Sequence, residues 1–267
     1  MYERYYGLSE KPFSLTPDTG FFYQSFTHKE ALNVLRVAIG SGEGFIKVTG
    51  EVGTGKTLLC RKLLQALELN FDTVYIPNPY MGCNALFHAI LVEMGIADRL
   101  NKANYLTCIN EYLIENARRN RGTVIILDEA QSIPEESLEA IRLLSNLETG
   151  KRKLVQIVLF GQPELDAILA KSNARQLKQR IGHAYQLKPL NQVSIRSYLQ
   201  HRVSLAGYRG PELFDDGALR RLYKLSQGIP RIINVLCNKA LMLSYASGEF
   251  YVRGKHIEAA AADSQMQ

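Results

Sequence analysis

Gly50-Glu51-Val52-Gly53-Thr54-Gly55-Lys56-Thr57 satisfies the phosphate-loop pattern G-x-x-x-x-G-K-[ST], and its flanks supply the context that pattern needs. Upstream, Gly44-Phe45-Ile46-Lys47-Val48-Thr49 is a short β-rich run. Downstream, Leu58 to Leu67 carries leucines at helical spacing. Strand, glycine-rich loop and helix in that order predict a backbone cradle whose N–H groups converge on a phosphate, with the positive end of the helix aimed at the same anion. A plain surface turn would lack those flanks. Residues Gly50 to Leu58 are therefore candidate nucleotide contacts, with Lys56 reaching the β- and γ-phosphates and Thr57 offering its hydroxyl to a bridging Mg²⁺.

Further along, Thr123-Val124-Ile125-Ile126-Leu127-Asp128-Glu129 is a β-branched run ending in two acids, the pattern of a parallel strand buried on both faces. Ligands of open α/β sheets bind at the carboxyl ends of such strands. Asp128 is placed to orient Mg²⁺ through its water shell, and Glu129 to polarise a water for in-line attack on a γ-phosphate. Two solvated loop acids would be the bland alternative. A phosphate loop about 70 residues earlier argues against it.

Around these motifs, strands expected at Thr73 to Ile76, Leu154 to Phe160 and His183 to Leu187 alternate with helical stretches at His28 to Ile39, Asn84 to Met94, Tyr105 to Arg119 (closed by Gly122), Glu136 to Leu147 and Glu164 to Leu177. Alternation of this kind predicts an α/β fold with a parallel, doubly wound sheet. From Asn191 onward the pattern is helical throughout, so the change at Lys188-Pro189-Leu190 marks a domain boundary. The expected organisation is an irregular aromatic arm over residues 1–27 packed on the core, an α/β core over 28–190, and a small all-helical lid over 191–267.

Composition is that of a soluble globular chain: 267 residues, 46% hydrophobic and 22% charged. The net charge of +6 is spread along the sequence, which reads as a mildly basic surface. Cys60, Cys83, Cys108 and Cys237 are widely spaced, without zinc-ligand or disulfide-framework spacing, and fit reduced cytoplasmic thiols. Neither a signal peptide nor an apolar run of membrane-spanning length is present. The histidines are scattered, and Leu138, Ile141, Leu143 and Leu144 form a core stripe.

Two arginines hold suggestive places. Arg180 follows a short helix and precedes a strand, and Arg231 follows Gly228-Ile229-Pro230 at the start of a helix. On residue type alone, a solvated surface charge is the better reading of either, in a chain with 32 lysines and arginines.

Gly50 to Thr57, Ile125-Ile126-Leu127-Asp128-Glu129-Ala130, Gly161-Gln162-Pro163-Glu164-Leu165, Gln179-Arg180-Ile181 and Gly228-Ile229-Pro230-Arg231 together resemble, in order, five landmarks of AAA+ ATPases: Walker A, Walker B, sensor 1, the arginine finger and sensor 2. The resemblance spans nearly the whole chain. It implies ATP and Mg²⁺ as cofactors and ATP hydrolysis as activity. It makes Gln162 the sensor 1 residue (where Asn or Thr is more usual) and Arg180 a finger acting on a neighbouring subunit. Pro230 and Arg231 become nucleotide contacts on the lid, and Phe13, in the segment before Walker A, a candidate for the adenine pocket, though core packing suits it equally.

Within the superfamily, Tyr6-Gly7-Leu8-Ser9-Glu10-Lys11-Pro12-Phe13 and His28-Lys29-Glu30-Ala31-Leu32 resemble ATPases of the general secretion pathway protein A type. Gly42 to Val48 and Tyr75-Ile76-Pro77-Asn78-Pro79-Tyr80 look closer still to pilus-biogenesis ATPases of the mannose-sensitive haemagglutinin (MSHA) kind. The general secretion proteins continue beyond the ATPase into a membrane span, whereas this chain stops at Gln267, which favours the pilus type. The resemblance implies an oligomeric assembly ATPase in type IV pilus biogenesis or type II secretion, with inner-membrane components as partners and a cytoplasmic location, peripheral to that membrane. Two other readings share these residues: a DNA-binding AAA+ regulator of the transposition target-selection type, and a scaffold that binds ATP without hydrolysing it. Glu129 and Arg180 argue against the scaffold, which needs neither a water-polarising acid nor a cation in trans.

Overall fold

The computed structural model describes residues 2–16, 18–96, 104–149, 153–171 and 174–265. Backbone contacts divide the chain into two compact units. One gathers residues up to Thr27, Glu51–Leu58 and the chain from Lys188 on; the other comprises His28–Gly50 and Leu59–Leu187.

The α/β unit is built on five parallel strands, β1 (Phe45–Gly50), β2 (Phe71–Ile76), β3 (Gly122–Leu127), β4 (Val155–Gly161) and β5 (Ile181–Leu187), in the order β2-β3-β4-β1-β5. Position in the sheet matches composition. The inner strands β1, β3 and β4 are buried almost without interruption, whereas the edge strand β5 alternates half-buried and exposed residues until Leu187. Alternate residues of β3 feed opposite layers: Ile125 and Leu127 join a cluster with Leu86, Ile90, Ile109 and Ile141, while Val124 and Ile126 join one with Leu35, Leu59 and Leu63. Helices α2 (Phe26–Gly40) and α3 (Lys56–Leu67) supply the second layer. Helices α4 (Cys83–Glu93), α5 (Tyr105–Arg118) and α6 (Glu135–Ser145) supply the first. Short helices α7 (Glu164–Leu169) and α8 (Arg175–Gln179) lead into β5. Of the expected core stripe, Leu143 is only half-buried.

Helix α5 does not close at Gly122, which opens β3. The left-handed residue after the helix is Asn120 (φ 57°), and Arg121 N–H donates back to the Asn116 carbonyl at 2.9 Å. Asn tolerates that conformation better than most side chains, so it serves where glycine was expected.

The second unit is helical: α9 (Gln192–Leu205), α10 (Asp216–Ser226), α11 (Pro230–Ala246) and α12 (Gly254–Gln265). The N-terminal segment differs from the expected irregular arm on the α/β core. Tyr2–Tyr6 forms a helix, α1, and Tyr2, Tyr6, Leu8, Phe13 and Phe21 lie inside the helical unit's own apolar cluster. Arg202 of α9 explains the attachment. Only 6% exposed, it donates to the carbonyls of Pro12 (2.6 Å) and Ser14 (3.4 Å), and its guanidinium lies 4.9 Å from the Phe21 ring centroid. An arm rich in aromatics is held where a buried cation can take its backbone oxygens.

All four cysteines are free thiols. Among the described residues, no helix is long and apolar enough to cross a membrane.

Candidate nucleotide site

The phosphate-loop residues Glu51–Leu58 cluster with the helical unit, and Asp128, Glu129, Gln162 and Arg180 belong to the α/β unit. Within the loop, Gly53 sits at φ +81°, a region L side chains avoid. An added Cβ there would stand 2.5 Å from Arg231 Cβ and 3.2 Å from Ile229 Cγ2. The Arg231 amide donates to the Gly53 carbonyl at 3.2 Å. Glu51's carbonyl organises the rest, accepting from Thr54 N (3.2 Å), Thr54 Oγ1 (2.8 Å) and Lys56 Nζ (3.0 Å). Lys56 is thus a buried ammonium, 5% exposed, held against the loop that would carry the phosphates. Lys56 and Thr57 open α3, so the loop runs straight into the positive end of a helix, an arrangement that favours an anion.

Arg231 is the second residue of α11, behind Pro230 at the first helical position. The turn before it is fixed tightly: Gly228 is at φ +78°, and a Cβ there would meet the Leu190 carbonyl oxygen at 1.9 Å. The Arg231 side chain is exposed. Phe13 is placed otherwise than a base-stacking residue needs: it is 2% exposed inside the helical unit's apolar cluster, its ring perpendicular to that of Phe214 at 5.9 Å.

At the end of β3, Asp128 is 2% exposed. Its amide donates to the Ile76 carbonyl at 2.9 Å, and Oδ2 accepts from the Tyr75 hydroxyl at 3.3 Å. Burial first, then nearby Cys60 and Asp128, raises the Tyr75 pKa, so the phenol stays a donor. Burial and Asp128 likewise raise that of Cys60. Glu129 follows in a left-handed conformation (φ 51°, ψ 38°), uncommon for a non-glycine residue and concentrated at functional sites. Its Oε2 accepts from Gln162 Nε2 at 3.2 Å and from Gln131 Nε2 at 2.6 Å. Gln162 and Glu129 are therefore brought together. Gln131 and Tyr75 belong to the same constellation without a sequence signal, because an amide in a loop and a tyrosine in an edge strand fit no spacing rule. Arg180 caps α8, is exposed, and donates to Ser145 Oγ at 3.2 Å.

Among the described residues no group of three or more His, Cys, Asp and Glu side chains converges into a metal cage. A lone strand-end carboxylate such as Asp128 is a donor of the kind that Mg²⁺ takes beside phosphate and water oxygens.

Comparison with known proteins agrees with the geometry. Residues 38–169 match the model of an AAA domain. General secretion pathway protein A of Aeromonas hydrophila is 40% identical over 263 residues, 98% of this chain, and the chain spans about half (48%) of that relative. Similar solved structures include Cdc6p from Pyrobaculum aerophilum (TM-score 0.73, 16% identity, 94% of this chain and 70% of that one) and Drosophila ORC bound to DNA (0.68, 15%, 95% and 64%). Thermotoga maritima RuvB, a Holliday junction branch migration motor, is also similar (0.59, 19%, 90% and 72%). At such identities the structural matches speak for the fold alone. Residues 38–169 thus form an AAA domain on a parallel five-stranded sheet, in a P-loop chain whose sequence is similar to general secretion pathway protein A.

Proposed function

We propose that the chain binds ATP with Mg²⁺ and hydrolyses it as a self-associating assembly ATPase of a secretion or type IV pilus machine, with MSHA-like pilus biogenesis one such setting and inner-membrane components as partners. The observation that carries hydrolysis is Glu129: a left-handed carboxylate at the end of a buried strand, held by one oxygen, beside a buried Asp128. In this reading Lys56 leaves the Glu51 carbonyl for the β- and γ-phosphates, and Thr57 and Asp128 hold Mg²⁺. Bound there, Mg²⁺ would supply Lewis-acid stabilisation of the charge on the phosphates. Glu129 takes the proton of the water that attacks phosphorus, with Gln162 orienting it, and the bond to the bridging oxygen breaks to release ADP. Arg180 supplies charge from a neighbouring subunit. The secretion setting is drawn from the 40% identical relative, and the pilus setting from the resemblance carried by Gly42 to Val48 and Tyr75 to Tyr80.

Phosphate release and ATP binding, measured side by side, test the reading. Lys56→Ala should lose binding. Glu129→Gln, which keeps shape but loses charge, should bind ATP and leave it intact. Equal loss of ATP affinity in both variants would remove Glu129 from its role.

A further inference from the structure

We infer that Gln131 is a positioning residue for the water-polarising acid: it fixes one oxygen of Glu129 so that the other is presented to water. The inference rests on the proposal that Glu129 serves hydrolysis.

The argument begins with a backbone group that can only donate. The Gln162 amide N–H lies 2.9 Å from one end of the Gln131 side-chain amide, so that end is the carbonyl oxygen. The NH₂ end is thereby turned to Glu129 Oε2, 2.6 Å away. Gln162 Nε2 reaches the same oxygen at 3.2 Å, which closes a ring of three hydrogen bonds through Gln162, Gln131 and Glu129. An ionised carboxylate accepts only, with about two lone-pair directions on each oxygen. Two donors occupy Oε2, and no described residue donates to Oε1.

The local backbone serves the same end. The left-handed turn at Glu129 leads into the tight turn Ala130–Ser132, closed by Ser132 N–H on the Glu129 carbonyl at 2.8 Å. Ala130, fully buried, anchors that turn in the core. Gln131 is thus carried on a fixed support, and its amide orientation is dictated from β4's end rather than from solvent.

Gln131→Met removes donor and acceptor at nearly constant volume, and Gln131→Glu puts a second negative charge beside Glu129. Steady-state hydrolysis by the full chain, with unfolding temperature measured on the same samples, should show kcat of Gln131→Met reduced about 10- to 100-fold, the rate equivalent of one hydrogen bond to a charged group. KM for Mg·ATP should stay within about twofold of the parent. Gln131→Glu should be slower still, because like charges repel at this distance. A merely structural glutamine predicts no such ordering. If either variant fails to fold, Gln131→Asn, which keeps the amide but is one methylene short, should reproduce the loss of kcat. Variants that fold and keep kcat within about twofold, or a Gln131→Glu no slower than Gln131→Met, overturn the inference. Failure of the parent reading looks different: the unmodified chain is then inactive, or Glu129→Gln matches it.

Discussion

The Arg231 backbone amide donates to the Gly53 carbonyl at 3.2 Å, and Arg231 Cβ occupies the space a Cβ on Gly53 would enter. Phosphate loop and helix start are therefore joined by main chain, and the arginine's charged end is left for another task. Gly53→Ala meets both a positive φ and a 2.5 Å contact, at a cost of about 1–2 kcal/mol from conformation alone. It should lower the unfolding temperature and impair ATP binding together. Arg231→Ala keeps the amide and the Cβ, so stability should change by less than about 0.5 kcal/mol. If the guanidinium reads the γ-phosphate, ATP should weaken more than ADP. Equal weakening would return Arg231 to the solvated surface.

Tyr75→Phe removes the hydroxyl that donates to Asp128 Oδ2 and nothing else. A single hydrogen bond to a charged group, partly shielded from water, predicts a stability loss of about 1–2 kcal/mol. Outer-shell partners of metal-linked carboxylates also orient them, so the Mg²⁺ concentration giving half-maximal hydrolysis should rise about tenfold. Burial keeps this phenol protonated, so both effects should be flat across neutral pH. An unchanged Mg²⁺ requirement with the stability loss intact would confine Tyr75 to folding.

Arg202→Ala is the corresponding test of the helical unit. It strands the Pro12 and Ser14 carbonyls and removes a cation from the Phe21 and Tyr198 rings, at 4.9 and 5.9 Å. Urea unfolding should show a loss of about 2–4 kcal/mol, and Arg202→Lys should recover only part, because an ammonium cannot present a planar fork. A loss below about 0.5 kcal/mol would mean that the N-terminal segment is held by its aromatics alone.

What was legible in the sequence follows from what sequence patterns encode. The continuous apolar runs of β3 and β4 are written residue by residue, so these buried strands could be read directly. The phosphate loop and strand-end acids carry fixed spacings. By contrast, Phe13 belongs to the helical core because Phe214, about 200 residues away, meets its ring, and no local pattern carries that. Gln131 was invisible for a related reason. Its importance lies in which groups its two amide ends touch, and Gln162 N–H, 31 residues on, decides that. Asn120 for Gly122 is a smaller case, in which the left-handed position was expected on the wrong tolerant residue.

Arg180 gives the last prediction, one about assembly. It is exposed at the end of α8, with only a hydroxyl, Ser145 Oγ, as its side-chain hydrogen-bond partner among the described residues. Such a guanidinium is free to reach a neighbouring molecule, and we propose that it acts on ATP held there. Specific activity should then rise with protein concentration. Arg180→Ala should bind ATP yet lose most of its turnover, since arginines supplied in trans contribute about 10³ to 10⁵ in rate. Mixing two inactive variants sharpens the test. An Arg180→Ala subunit retains Glu129, and an adjoining Glu129→Gln subunit can lend it an intact Arg180, so some composite sites become complete and activity should partly return. If the two variants co-assemble and the mixture stays as inactive as its components, Arg180 does not act in trans. Arg175, exposed at the start of the same short helix, then becomes the residue to replace.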